Sequence, residues 1–186
     1  MKIKLYECFK HWLHGGAIYL YSDPHFNDNE QLKLLHKKLD DESQIKSINK
    51  VVGKLDTIIF LGDIGDKSCI SKIRGYKVAI LGNHDKGSSY YRDVFDEVYD
   101  GPVLINSKII LSHEPLKYDF AFNIHGHDHG KKSFQDNMHM NLCAELINYM
   151  PISLKSIFES GKLKDVPDIH RTAIDSAIKN KLPKIN

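Results

Sequence analysis

With 186 residues the chain is long enough for one full hydrophobic core, and a single domain spanning 1–186 is expected. Its 41% hydrophobic content is ordinary, and a net charge of only +2 excludes the strong field that draws proteins to duplex nucleic acid or membranes. Cys8, Cys69 and Cys143 are too few and too scattered for a disulfide framework, which fits a reducing, cytoplasmic setting.

The first stretch, MKIKLYECFKHWLHGG, carries charges throughout, so neither a signal peptide nor a membrane span is expected. Residues 17–21, 57–61 and 77–81 are continuous apolar runs, each followed at once by turn residues. Such runs predict strands buried on both faces of a sheet. Between the first two, Leu32, Leu35 and Leu39 keep helical spacing, and Ile45, Ile48 and Val52 resume it after a break at 40–43. Residues 68–74 leave room for one or two further turns. The alternation means βαβ units, and right-handed crossovers make that stretch of sheet parallel.

Downstream the rhythm changes. Runs at 103–105 and 109–111 flank Asn106-Ser107 and predict a hairpin; 121–124 and 138–142 predict further strands. Residues 151–160 suggest a helix starting at Pro151. Asp168 is placed to cap a closing helix to Lys181, with Ile169, Ala173 and Ala177 on the face that packs on the sheet edge.

The chemistry lies just after the strands. There stand Asp23-Pro24-His25, Gly62-Asp63-Ile64-Gly65-Asp66, Gly82-Asn83-His84-Asp85, Ser112-His113 and Gly126-His127-Asp128-His129. In an open α/β sheet the C-terminal strand ends form the ligand-binding edge, so these loops should converge. Carboxylates, an amide and imidazoles without thiolate suit first-row divalent ions: Mn first, with Fe, Ni, Co or Zn also admitted. Asp23, His25, Asp63, Asn83, His113, His127 and His129 are too many ligands for one ion and suit two. Only a carboxylate can give one oxygen to each of two cations, and Asp63 is placed to be that bridge.

Asp23 and His25 can approach one ion from a single turn, whereas His127 and His129 need not share one. Two ions about 3.5–4 Å apart clamp the attacking and leaving oxygens of an in-line displacement at phosphorus. With two aspartates and a bridging hydroxide the centre keeps about one positive charge, enough to attract a phosphate ester. His84 cannot follow Asn83 toward an ion and should reach over the pocket. There it would protonate a leaving alkoxide or steady phosphoryl charge, with Asp85 fixing its tautomer.

The series DPH, GDIGD, GNHD, SH and GHDH resembles the calcineurin-like metallophosphoesterase family, whose five motifs occur in this order. The match spans 23–129, and residues 141–154 resemble the closing segment of small bacterial and phage members. The resemblance implies an α/β fold of two mixed β-sheets packed as a sandwich flanked by helices. It also implies one ion on Asp23, His25, Asp63 and His129, a second on Asp63, Asn83, His113 and His127, and His84 as proton donor. After the first motif Phe26-Asn27-Asp28 replaces the Gly-His pair common in small members, which points to a different substrate-facing loop.

The expected activity is hydrolysis of a small-molecule or nucleotide phosphoester, a diester first, by a binuclear centre with a bridging hydroxide. A non-enzymatic metal-binding interaction scaffold on the same fold is the alternative. His125 is read as packing, and His11, His14, His36, His139 and His170 as solvated. Asp66 is an even choice between support of the site and a turn aspartate. The pairs Lys37-Lys38 and Lys131-Lys132 are read as solvated faces.

Overall fold

In the computed structural model, residues 4–34, 39–130 and 136–171 are described. The expectations for His36, Lys37-Lys38, Lys131-Lys132 and the closing helix beyond Arg171 lie outside them. After a short 3₁₀ segment, Glu7–Leu13, come β1 (Ile18–Tyr21), α1 (Asn29–Leu34), α2 (Asp41–Val51), β2 (Thr57–Leu61), α3 (Lys67–Ile70) and β3 (Tyr76–Ile80). Then follow α4 (Ser88–Tyr91), β4 (Glu97–Tyr99), β5 (Val103–Leu104), β6 (Ile109–Leu111), β7 (Phe122–His125), β8 (His139–Asn141), β9 (Ile152–Ser153) and α5 (Leu154–Glu159).

The architecture is α/β with two mixed sheets. One has the order β4-β3-β2-β1-β9, the other β5-β6-β7-β8. Strands β1 to β4 run parallel, and β9 pairs with β1 antiparallel. In the second sheet β6, β7 and β8 are parallel, while β5 and β6 form the expected antiparallel hairpin.

Side-chain parity builds the layers. Ile18, Leu20, Ile59, Leu61, Val78 and Ile80 share one core with Val103, Ile109, Leu111, Phe122 and Ile124 of the other sheet. The opposite parity, Tyr21, Ile58, Phe60 and Ala79, packs on Ile45, Ile48, Ile70 and Tyr91 from the helices. Every residue of β2 is therefore buried, as its unbroken TIIFL composition predicts.

The break expected at 40–43 is shorter: α2 already starts at Asp41, and the Asp40 carboxylate caps it by accepting from Ser43 N at 2.8 Å. The helix expected from Pro151 begins later: residues 152–153 pair with β1 as β9, and Ser153 caps α5 at Ser156 N. Edge pairing thus overrides proline's preference for a first helical turn. Asp168 does accept from the backbone N–H of His170 and Arg171, at 3.0 and 3.2 Å. Among the described residues no helix is long and apolar enough to cross a membrane.

Candidate metal centre

Strands β1, β2 and β3 end at Asp23/His25, Asp63 and Asn83–Asp85; β6 and β7 end at His113 and His127/His129. All seven expected ligands meet there. The turns are sharp enough that Asp23, His25, Asp63 and His127 adopt positive φ, from 45° to 68°. Non-glycine residues pay on the order of 1–3 kcal/mol each for such backbone, which persists only where the surroundings hold it. Here Asp23 N donates to Gly62 O (3.1 Å), His25 N to Asp63 O (3.0 Å) and His127 N to Asp23 Oδ2 (3.0 Å). Gly126 is needed for space, because a Cβ there would overlap Ser22 Oγ and Asp23 Oδ2.

The donors fall into two sets. In one, His129 Nε2 is 3.2 Å from both Asp23 Oδ1 and His25 Nε2, and His25 Nε2 is 3.6 Å from Asp63 Oδ2 and 4.0 Å from Asp23 Oδ1. In the other, His113 Nε2 is 2.8 Å from Asn83 Oδ1 and 3.4 Å from Asp63 Oδ1. His127 Nδ1 completes that set, 3.1 Å from both Asn83 Oδ1 and His113 Nε2. Asp63 thus turns one carboxylate oxygen to each set.

Donors about 2.1 Å from a shared cation stand roughly 3.0 Å apart at octahedral angles and 3.4 Å at tetrahedral ones. Most of the spacings fit these edges. Asp23 Oδ1 is buried and has no well-formed hydrogen bond, and two imidazole Nε2 atoms face each other across 3.2 Å. A cation resolves both mismatches, so the residues fit divalent ions.

Hydrogen bonds also select tautomers. His113 Nδ1 donates to Leu61 O at 2.9 Å, leaving Nε2 as the lone-pair atom facing Asn83 and Asp63. His129 Nδ1 donates to Glu145 Oε1 at 3.0 Å, which leaves Nε2 facing Asp23 and His25. Burial lowers His25 below its ordinary value and favours the neutral, ligating form. Burial works against the His129 imidazolium too, but the Asp23 and Glu145 carboxylates outweigh it and push its pKa up to about 10. The same oxyanions, after burial, push the Cys143 thiol well up and keep it protonated. Cys143 donates to Asp23 Oδ2 at 3.3 Å.

The expectations for Asp85, His139 and His11 need correction, the last being half-buried with its Nε2 on Glu97 Oε1 rather than solvated. Asp85 does not orient His84: its Oδ1 accepts from Ile64 N and Tyr91 Oη, and its Oδ2 from Gly82 N, each at 2.8 Å. The carboxylate ties two site loops together, because a short turn of backbone offers N–H groups nearer than the imidazole. His84 donates its backbone N–H to Asp63 Oδ1 at 3.0 Å, and its exposed ring stands edge-on to His25 with centroids 6.0 Å apart. His139, expected in solvent, is buried, with Asp136 Oδ1 and Leu116 O at its two ring nitrogens, 2.7 and 2.9 Å away. Strand alternation turns it to the same face as Asn123, its partner on β7, which Leu116 N contacts.

Asp66 caps α3 at Ser68 N and reaches no ion donor. His125 is buried against its own chain, with Nδ1 donating to Gly126 O. A cleft of about 250 Å³ opens beside Asn83 and His113, walled by Leu81, Pro102, Glu114 and Leu116. Residues that sequence reasoning missed are Ser22, Cys143 and Glu145. A strand was expected at 138–142, but that its end meets the same edge follows only from its parallel pairing with β7.

No protein-family model matches the chain, and no curated protein matches it. Among solved structures it is similar to the crystal structure of a protein of unknown function, AQ665 from Aquifex aeolicus. The TM-score is 0.67 at 24% identity, covering 78% of this chain and 99% of that one. At that identity the likeness speaks for the fold alone.

Proposed function

We propose that this chain is a metal-dependent phosphoesterase of the calcineurin-like type, acting on a small or nucleotide-type phosphodiester. The observation that carries the reading is the split of Asp63, with Oδ1 toward Asn83, His113 and His127 and Oδ2 toward Asp23, His25 and His129. One bridging carboxylate between two donor sets suits a pair of divalent cations, Mn first. Bound there, two such ions supply Lewis acidity toward phosphoryl oxygens and an attacking water of lowered pKa.

The chain's own residues do the rest. The seven ligands converge from five strand ends, so reacting groups are brought together at one sheet edge. His84 has its backbone fixed by Asp63 while its imidazole is exposed over the site, free to protonate a leaving alkoxide. The neighbouring cleft of about 250 Å³ has room for one small substituent of the ester.

The test is hydrolysis of bis-p-nitrophenyl phosphate and p-nitrophenyl phosphate by metal-stripped protein, with and without added Mn. Diester cleavage restored by Mn supports the proposal; cleavage of the monoester alone makes the protein a phosphatase instead. His84→Ala should keep two ions and lose turnover on the order of 10²–10⁴-fold. Two bound ions with no turnover of either ester would favour the scaffold.

A further inference from the structure

Resting on that reading, we infer that Glu145 is a positioning residue of the centre, holding His129 so that its Nε2 faces Asp23 and His25. Glu145 Oε1 accepts twice, from His129 Nδ1 at 3.0 Å and from Gly130 N at 3.2 Å. These two bonds fix the ring's rotation and its tautomer together. The opposite nitrogen then lies 3.2 Å from both Asp23 Oδ1 and His25 Nε2. A ligating histidine with its second nitrogen on a carboxylate is a more basic and better-oriented donor.

The chain around Glu145 is itself anchored to the site. Ala144 N donates to Ser22 O at 3.0 Å, and Asn141 Oδ1 accepts from Cys143 N at 2.9 Å. Asn141 Nδ2 donates to Asp128 O at 2.9 Å, tying the segment to the loop that carries His129. Cys143 touches Asp23 from the same side. The segment leaving β8 therefore supports both Asp23 and His129, two ligands 106 positions apart in sequence by their numbers, 129 minus 23. By contrast His113, in the second donor set, takes its tautomer from a main-chain carbonyl, Leu61 O.

His129, Cys143 and Glu145 also lie close enough to hold an ion among themselves. The 3.0 Å contact of Glu145 with Nδ1, rather than Nε2, assigns Glu145 to orientation and not to ligation.

The experiment is a Mn and Zn titration of the metal-stripped full chain against a competing indicator, comparing wild type with Glu145→Met, Glu145→Ala and Glu145→Gln. Methionine keeps the volume without an acceptor, so the comparison survives if the alanine variant fails to fold. Wild type should bind two ions. Glu145→Met and Glu145→Ala should lose affinity for one of them by about 10–100-fold. Glu145→Gln, whose amide oxygen can accept from both His129 Nδ1 and Gly130 N, should recover most of it. Wild-type affinities in the methionine or alanine variant would overturn the inference and leave the phosphoesterase reading intact. A glutamine variant as weak as methionine would also overturn it, since charge or direct ligation would then be the cause. Wild type that binds no ion would overturn both.

Discussion

Asp63 and His113 meet with Oδ1 3.4 Å from Nε2, while the other Asp63 oxygen lies on the far side, 3.6 Å from His25 Nε2. An amide cannot serve both directions, because only one of its two terminal atoms is an acceptor. Asp63→Asn should therefore reduce two bound ions to one or none. Turnover should fall with it by on the order of 10²–10³-fold, the kinetic equivalent of several kcal/mol of lost transition-state stabilisation. Metal analysis and rate measurement on the same sample check both halves.

Asp85 holds the Gly82, Ile64 and Tyr91 donors with one carboxylate, and burial raises its pKa from the ordinary aspartate value. Asp85→Asn exchanges one acceptor for a donor that faces a backbone N–H or the tyrosine hydroxyl, which should cost about 1–3 kcal/mol. Thermal unfolding measures that loss. An orienting role toward His84, the proposed proton donor, would instead shift the alkaline limb of the pH–rate profile, and no such shift is expected.

Glu97 receives hydrogen bonds from Tyr99, His11, Trp12 and Tyr76, joining the 3₁₀ segment to β4 and β3. Burial opposes its charge, but those donors prevail and hold the carboxyl below its ordinary value. Its stabilisation is thus present above the ordinary glutamate pKa and is lost as the pH falls through the lower, folded value. Glu97→Gln should flatten the acid limb of the stability curve and leave stability above pH 7 reduced. Urea unfolding across pH 3–8 would reveal it; an unchanged acid limb would place the charge elsewhere.

Much was decided by sequence alone. Unbroken apolar runs such as 57–61 can only be buried on both faces, and they do lie in the middle of a sheet. Turn residues directly after such runs locate a shared edge, which is why Asp23, His25, Asp63, Asn83, His113, His127 and His129 could be named together. Those seven donors do converge.

Only tertiary structure decided the rest. Local pattern carries no information on where a side chain points once its loop is folded, so Asp85 was free to leave His84 for three nearer donors. Short edge strands such as β4 and β9 depend on a neighbour to pair with, and their own sequences are too brief to announce it. Glu145 acquires its contact with His129 only because β8 is laid parallel beside β7. The division follows from range. Burial of a continuous run is a property of consecutive residues, whereas the partner of a carboxylate is set by packing between segments far apart in the chain.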